Sequence, residues 1–314
     1  TFMTSGQEGN ALVAAKNEYD QIIWSWHIWC TDKPVEHTYI NHEKQTFNVM
    51  DRNLGATRAD RGTGEEWRDA AGLVYQWGRK DPFAFGKDLA ASFKFNILQS
   101  ILYPQYISHN YMWIADGWGS GQLWSQTKTI YDPCPVGYKV APKETWTGFT
   151  STGEGTTHPD EPRWNLPWDK GVYFTYDGTN KAWYPASYCG WFHVYISENE
   201  SECWSSTINS YGTDWGNAYR LYIRYGGDMN VNVEPKSTLD LGGARPVRCV
   251  ADEGYIDPTL PVVDTVTVSS ITEYDALAQC SIVTPGSSEV ISKGVVWSKT
   301  PNPTIELSTK TENN

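Results

Sequence analysis

Cysteine has the widest choice of chemistry of any residue type in this chain, and its spacing narrows that choice. The six cysteines are Cys30, Cys134, Cys189, Cys203, Cys249 and Cys280. No two of them form the C-x-x-C pair that zinc ribbons and thioredoxin-type redox sites use. Widely spaced cysteines in a chain rich in Trp, Tyr, Gly and Asn favour an oxidising compartment, with disulfides. A set of buried free thiols is the alternative.

The histidines and serines carry no catalytic signature. The histidines are His27, His37, His42, His109, His158 and His193. Their spacing matches neither H-x-x-x-H nor H-E-x-x-H, and the chain has no G-x-S-x-G elbow and no P-loop. His27 lies among tryptophans, so we interpret it as a structural residue. The sequence therefore predicts a protein that is not an enzyme and needs no cofactor.

Aromatic and amide side chains are concentrated in residues 188–232. Tyr, Trp, Asn, Ser and Gly together are typical of a recognition surface, because aromatic rings give contact area at low entropy cost and Asn and Ser adapt their hydrogen bonds. The predicted ligand-binding residues are Trp191, His193, Tyr195, Asn209, Tyr211, Asp214, Trp215, Asn217, Asp228 and Asn230. Trp204, Tyr219, Leu221 and Ile223 are instead expected in the core or against neighbouring strands.

The charge disfavours nucleic acid as a partner, and the hydropathy disfavours a segment that spans a membrane. The net charge is −12, from 25 basic and 37 acidic residues, which disfavours nucleic acid because its binding needs clustered Lys and Arg. No apolar run reaches the roughly 18 residues that span a bilayer. Only 39% of the chain is hydrophobic, but 16 Trp, 19 Tyr and 9 Phe can still build a sizeable, aromatic-rich core.

The elements that must position these residues begin with a hairpin over residues 10–29, turning at Glu18–Asp20. A strand is predicted at Thr46–Met50. Apolar spacing from Trp67 to Gly78 predicts the clearest helix, with a capping box formed by Thr63 and Glu66. Two further helices are predicted at Leu89–Leu102 and Pro142–Phe149.

Short strands dominate the later part of the chain. They are predicted at Val172–Tyr176, Trp191–Ile196, Ala218–Tyr225, Val231–Val233 and Pro246–Val250, with turn residues between them. Few helices, short strands and long loops predict an α+β domain that carries its function on loops.

The composition changes after Asp252. Residues 254–262 include a Pro-rich stretch that reads as a stiff linker. Residues 263–314 alternate in polarity and predict an all-β module, although it is shorter than the roughly 100 residues of an immunoglobulin-like sandwich. We therefore divide the chain into an N-terminal strand or linker (1–20), a main domain (21–253), a linker (254–262) and a partial module (263–314).

Six segments in order resemble the major paralogous domain family named for Fibrobacter succinogenes and common in Bacteroidetes surface proteins. They are Trp24–Trp29, Met50–Ala56, Tyr75–Phe83, Asp132–Tyr138, Cys203–Thr207 and Arg245–Val250. The resemblance covers roughly residues 20–252. The tail resembles fibronectin-III-like or immunoglobulin-like repeats of the same bacteria through Ser292–Ser298 and Thr300–Thr304.

The resemblance implies a C-type-lectin-like fold, related to formylglycine-generating enzymes, together with export to the cell surface or a fimbria. Cys30 and Cys203 stand where the family usually has an aliphatic and an aromatic residue. We predict a Cys134–Cys249 disulfide and a second bridge, Cys189–Cys203, across a hairpin. Cys30 and Cys280 then stay unpaired, or pair with a partner outside this chain.

The calcium-dependent sugar site of C-type lectins is not expected here. Glu234-Pro235-Lys236 places an ammonium where that site needs an oxygen ligand. Trp164-Asn165-Leu166 lacks the acidic oxygen and precedes that loop. A structural calcium near Asp51, Asn53 or Asp116 stays open.

Three functional hypotheses follow. The first is an adhesin that binds a glycan or a host or bacterial surface protein, on a fimbria or a lipid-anchored protein. The second is a structural surface component that contacts neighbouring pilin subunits by strand addition, through residues 10–15 or the partial module. The third is a formylglycine-generating-type oxidase using Cys249, whose thiol pKa Arg245 and Arg248 could lower; the disulfide is the preferred interpretation.

Overall fold

The computed structural model describes most of the chain. The described residues are 6–84, 90–91, 96–108, 123–157, 163–165, 168–187, 197–210, 216–226, 231–255, 262–264, 266–284, 286, 293–301 and 303–304. The chain forms two compact units, Thr1–Glu253 and Gly254–Asn314. The division falls where the composition changes.

Strands far outnumber helices among the described residues, as the sequence predicts. In the first unit the strands are β1 (Gly9–Lys16), β2 (Ile22–Cys30), β3 (Glu36–Ile40), β4 (Thr46–Met50), β5 (Val74–Gln76), β6 (Ala90–Ala91), β7 (Ile107–Ser108), β8 (Tyr138–Val140), β9 (Trp164–Asn165), β10 (Gly171–Thr175), β11 (Lys181–Pro185), β12 (Glu200–Ser210), β13 (Asn217–Tyr225), β14 (Val231–Asp240), β15 (Ala244–Pro246) and β16 (Cys249–Ala251). The helical elements of the described residues are α1 (Ile97–Leu102) and two 3-10 helices, Glu66–Ala70 and Lys143–Phe149.

The predicted N-terminal hairpin is confirmed. β1 and β2 pair antiparallel, from Gly9 opposite Cys30 to Lys16 opposite Ile22. In the turn, the Asn17 side-chain oxygen accepts the N–H of Gln21 at 3.0 Å, and Asp20 has a φ of 61°, a left-handed conformation that Asp tolerates. The predicted N-terminal strand is therefore an integral part of a sheet.

A four-stranded sheet of order β3-β4-β16-β8 joins distant parts of the first unit. Val250 lies opposite both Val49 and Lys139, so the last strand of the unit lies between two earlier ones. The strand predicted at 246–250 is split into β15 and β16, because β15 pairs with β5 in a separate sheet.

A third sheet has the order β12-β13-β14. The strands predicted at 218–225 and 231–233 are confirmed as β13 and β14, and β14 continues to Asp240. The strand predicted at 172–176 is confirmed as β10, which lies in a separate sheet of order β11-β10-β9. The register shifts opposite Leu221, at the part of β14 that holds Pro235. Proline has no N–H to give to a ladder, which explains its place at an irregularity. The strand predicted at 191–196 lies outside the described residues.

The helix predicted over Trp67–Gly78 is wrong. Glu66–Ala70 forms a 3-10 helix, and β5 begins at Val74. Between them Gly72 has a φ of 74°, and a Cβ there would lie 2.7 Å from the carbonyl oxygen of Leu54. From Val74 to Arg79 every residue is buried, so apolar spacing in this segment does not mark one face of a helix. Of the predicted capping box, one half is present: the Glu66 carboxylate accepts the N–H of Thr63 at 2.8 Å.

The other two helix predictions are right only in part. The segment Leu89–Leu102 contains β6 as well as α1, which starts at a capping box between Asn96 and Gln99. Lys143–Phe149 is a 3-10 helix, packed so closely on β3 that a Cβ at Gly148 would lie 2.2 Å from the carbonyl oxygen of Ile40.

The interior of the first unit is rich in aromatic rings. One cluster centres on Trp77, Trp124 and Trp204. The other contains Phe149 and Phe174, whose rings stack with centroids 3.8 Å apart. Pairs of this kind add roughly 0.5–1.5 kcal/mol to the burial of their area.

The described part of the second unit consists of short strands. They are β17 (Val262–Val263), β18 (Thr267–Ser269), β19 (Leu277–Gln279) and β20 (Ile282–Thr284). β17 pairs with β20, and β18 pairs with β19. The all-β character predicted for this module agrees with these elements.

Candidate functional site

Two of the ten predicted ligand-binding residues lie in the described part of the chain, and they meet. Asn209 is near the end of β12 and Asn217 begins β13. The amide nitrogen of Asn209 donates to the side-chain oxygen of Asn217 at 2.8 Å. Asn209 is exposed and Asn217 is half-buried, so the pair presents amide groups where β12 ends and β13 begins. We call it the Asn209–Asn217 pair.

The remaining predicted binding residues lie outside the described residues. They are Trp191, His193, Tyr195, Tyr211, Asp214, Trp215, Asp228 and Asn230. Residues 211–215, which lie outside the described residues, connect the two strands that carry the Asn209–Asn217 pair. Chain connectivity therefore places Tyr211, Asp214 and Trp215 close in sequence to that pair.

The strands below the pair are anchored by two tryptophans. The indole N–H of Trp204 donates to the carbonyl oxygen of Tyr75 at 2.9 Å, and that of Trp77 donates to the carbonyl oxygen of Ser205 at 2.8 Å. These bonds tie β12 to β5 in both directions. Both indoles are fully buried. The two hydrogen bonds therefore satisfy N–H groups that burial would otherwise leave without partners.

Buried charges reinforce the same strands. The Glu202 carboxylate is fully buried and pairs with Arg220 of β13 and with Arg245 of β15. Breaking one partner of such a group leaves an uncompensated buried charge, which costs about 3–5 kcal/mol. This arrangement specifies how β12, β13 and β15 are placed beneath the Asn209–Asn217 pair.

The four residues expected in the core differ in how deeply they are buried. Trp204, Leu221 and Ile223 are fully buried. Tyr219 is half-buried, and the ammonium of Lys143 lies 4.4 Å from the centre of its ring. Tyr219 therefore contacts the 3-10 helix at Lys143–Phe149.

The predicted Cys134–Cys249 disulfide is present. The predicted Cys189–Cys203 bridge is wrong, because Cys203 is a free, buried thiol; Cys189 lies outside the described residues. Cys203 lies in β12 opposite Leu221 and belongs to the second aromatic cluster. It fills this place as a small apolar side chain, a common role of buried cysteine. Cys30 and Cys280 are free thiols in the structure.

A buried polar network surrounds the Cys203 thiol. Asn53 accepts from Nε of Arg248 at 3.0 Å and lies 3.7 Å from Sγ of Cys203. Arg248 also donates to the carbonyl oxygen of Trp183 and lies 3.9 Å from the ring centre of Tyr184. Burial raises the pKa of the Cys203 thiol to about 12, so the sulfur stays protonated near neutral pH and is a poor nucleophile.

His27 has the structural role that its surroundings predict. Its Nε2 lies 2.8 Å from the Asn10 side-chain oxygen, and its Nδ1 lies 3.2 Å from the Tyr75 hydroxyl. Burial lowers the pKa of His27 from 6.5 to about 4. The imidazole is therefore neutral near pH 7 and joins β2, β1 and β5.

Two of the three residues considered for a structural calcium, Asp51 and Asn53, have other partners. Asp51 pairs with Arg52 at 2.9 Å, and Asn53 is engaged by Arg248 and by the carbonyl oxygen of Ala71. Asp116 lies outside the described residues. Across the described ranges no group of three or more His, Cys, Asp or Glu side chains could hold a metal ion. Glu234 lies within β14 and accepts from Asn232 at 2.8 Å.

Sequence reasoning missed a cleft of about 460 Å³ beside the four-stranded sheet. It is lined by Gln45, Thr46, Phe47, Asn48, Gln126, Lys139, Pro142, Glu144, Ser206, Val250, Ala251 and Glu253. These residues come from β4, β8, β12, β16 and the start of the second 3-10 helix, with others from adjoining turns. No local motif connects these residues. They come together because β4 pairs with β16, and that pairing cannot be predicted from local sequence patterns.

Comparisons with family models, with curated proteins and with solved structures give no match to this chain. Among the described residues, none of the helices has the length and apolarity needed to cross a membrane.

Proposed function

We propose that this chain is a non-enzymatic ligand-binding protein of a bacterial surface, an adhesin built on a C-type-lectin-like scaffold. Its ligand is a glycan or a surface protein of a host or of another bacterium. The binding face is the end of the β12–β13 strands that carries the Asn209–Asn217 pair, together with residues 211–215, which connect the two strands. Residues 188–196 and 227–230 adjoin the opposite end of these strands in sequence and are not included.

The observation that carries this proposal is the exposed Asn209–Asn217 pair, with its amide-to-amide hydrogen bond of 2.8 Å. Amides offer both donors and acceptors, and this pair stands on strands held by buried indole hydrogen bonds and by the Glu202 ion pairs. Rigid support of this kind lowers the entropy lost on binding, because fewer side chains must become ordered.

The state of the cysteines supports a binding role over oxidase chemistry. A formylglycine-generating-type reaction would need a reactive thiol at Cys249, and that sulfur is bonded to Cys134. Cys203 lies near Arg248 but has a pKa raised to about 12 by burial. Neither sulfur is thus in the thiolate form that nucleophilic or redox chemistry requires.

The test is a glycan array combined with binding to host and bacterial cell surfaces, followed by alanine substitution. We expect Asn209→Ala with Asn217→Ala, and separately Tyr211→Ala, to weaken the strongest interaction by at least about tenfold, equivalent to roughly 1.4 kcal/mol. Asn232→Ala is the matched control, because that amide hydrogen-bonds Glu234 within β14.

If both binding-face variants leave every detected interaction unchanged, the face is wrong. If cross-linking on intact cells then captures only neighbouring copies or pilins, the result supports the alternative that the chain is a structural surface component. The residues to examine for that alternative are in β1, which pairs with β2 in a two-stranded sheet and has exposed residues along its length.

A further inference from the structure

The cleft beside the four-stranded sheet has side chains whose hydrogen-bonding groups are unused in the described part of the chain. The side-chain oxygen of Asn48 accepts from Thr38 at 2.8 Å, which leaves its NH₂ group without a partner. The Gln45 side-chain oxygen likewise accepts from Asn41 at 2.9 Å, and its NH₂ group is not engaged. Gln126 is exposed at the rim. The lining thus offers several amide donors.

The same cleft also offers strong acceptors. Glu144 and Glu253 line it, and neither carboxylate forms an ion pair or side-chain hydrogen bond within the described residues. The cationic side chain in the lining, Lys139, is paired with Asp252 at 2.9 Å. Carboxylates accept hydrogen bonds that are shorter and about twice as strong as neutral ones.

This mixture of groups discriminates among ligands. An anion would accept from the amides but would face two unneutralised carboxylates. A cation would satisfy the carboxylates but would leave the amide donors unused. A hydroxyl group donates one hydrogen bond and accepts two, so a ligand bearing several hydroxyls can use both sets at once.

The size and the apolar part of the lining fit the same class of ligand. Small-molecule sites usually measure roughly 300–1,000 Å³, and this cleft is about 460 Å³. Phe47, Pro142 and Val250 contribute apolar surface beside the polar groups, as the C–H faces of a sugar ring require.

We propose that this cleft binds a neutral, hydroxyl-rich ligand of the saccharide class, held by Glu144, Glu253 and the amides of Gln45, Asn48 and Gln126. The site shares no lining residue with the Asn209–Asn217 pair. It does not depend on the adhesin proposal, and either can fail without the other.

The experiment uses saturation-transfer difference NMR on the full chain. The probes are D-glucose, D-galactose, D-mannose, N-acetyl-D-glucosamine, lactose, cellobiose and maltose, with spermidine and citrate as cationic and anionic comparisons. We expect at least one saccharide to bind and the two charged probes not to bind. Glu144→Gln and, separately, Gln126→Ala should weaken binding of that saccharide by about tenfold, because the first replaces a charged acceptor by an amide and the second removes an amide, while both leave buried packing intact.

The control is the double variant Asn209→Ala with Asn217→Ala, which should bind the saccharide as the unaltered chain does. Urea unfolding of each variant verifies that it is folded. The proposal is overturned if no saccharide binds, if spermidine or citrate binds in place of a saccharide, or if folded Glu144→Gln and Gln126→Ala proteins bind as tightly as the unaltered chain. It is also overturned if the asparagine double variant alone loses binding, since the saccharide would then bind at the Asn209–Asn217 pair.

Discussion

His27 illustrates how much of a residue's chemistry its neighbours decide. In isolation a histidine titrates near pH 6.5 and could serve as a base or a metal ligand. Here both ring nitrogens have hydrogen-bonding neighbours, Asn10 and Tyr75, and burial lowers its pKa to about 4. The residue is therefore used to join strands.

This pKa makes a prediction about stability. Because the folded pKa of His27 lies below its unfolded value of 6.5, the unfolded chain binds the proton more readily. The contribution is complete above about pH 6.5 and is lost as the pH falls from about 6.5 to 4. We expect about 3 kcal/mol of stability to depend on this group, measured by urea unfolding as a function of pH.

His27→Gln should flatten the profile between pH 6.5 and 4 relative to the unaltered chain. His42→Gln is the matched control, since His42 is exposed. A His27→Gln profile parallel to that of the unaltered chain would show that the imidazole is equally protonated in the folded and unfolded states.

Cys203 shows the limit of reasoning about single residues from the sequence. Two cysteines flanking a hairpin suggest a bridge, but side chains of neighbouring strands can meet only if register and face agree. Cys203 pairs in register with Leu221, and its sulfur lies in the core near Asn53. Register is a property of the assembled sheet.

At the scale of elements, β12 and β5 depend on each other. Val74, Tyr75 and Gln76 are all buried, and their strand provides the carbonyl oxygen that Trp204 binds. A segment buried on both faces has no amphipathic pattern, which is why helical spacing over Trp67–Gly78 misled the sequence prediction. Tertiary contacts with β15 and β12 make it a strand.

Trp204→Phe tests this mutual dependence. The change removes the indole hydrogen bond to Tyr75 and leaves a small cavity in the first cluster. We expect the free energy of unfolding to fall by about 2 kcal/mol, measured by urea denaturation.

Trp26→Phe is the matched control, because Trp26 is 47% exposed and should cost no more than about 0.5 kcal/mol. Equal losses in the two variants would mean that the buried indole bond contributes nothing to holding β12 on β5.

At the scale of the whole molecule, the two aromatic clusters lie entirely in the first unit. All their members come before Asp252, and the disulfide Cys134–Cys249 lies in the same unit. The described strands of the second unit have mostly exposed residues. The folding free energy of the first unit should therefore be independent of the residues that follow it.

A chain ending at Glu253 tests this independence. We expect it to fold and to unfold in urea with a midpoint and slope close to those of the tryptophan-fluorescence transition of the full chain, because 15 of the 16 tryptophans precede residue 254 and report on the first unit. A midpoint lowered by more than about 0.5 M, or a chain that does not fold, would show that the second unit contributes to the stability of the first.

The sequence alone determined the local features of this protein. The hairpin over residues 10–29, the short strands, the scarcity of helix, the aromatic core and the change at residue 253 follow from turn residues, alternation and composition, which act over a few residues. The choice of Asn209 and Asn217 as candidate binding residues rested on the same kind of local information, and it stays a prediction.

Only the tertiary structure decided what depends on distant pairs of residues. It left Cys203 unpaired, made Val74–Gln76 a strand, neutralised His27 and brought β4 beside β16 to form the cleft. In each case the outcome is set by contacts between segments separated by tens to hundreds of residues. Burial and strand register arise only when those segments pack together, so local sequence patterns do not encode them.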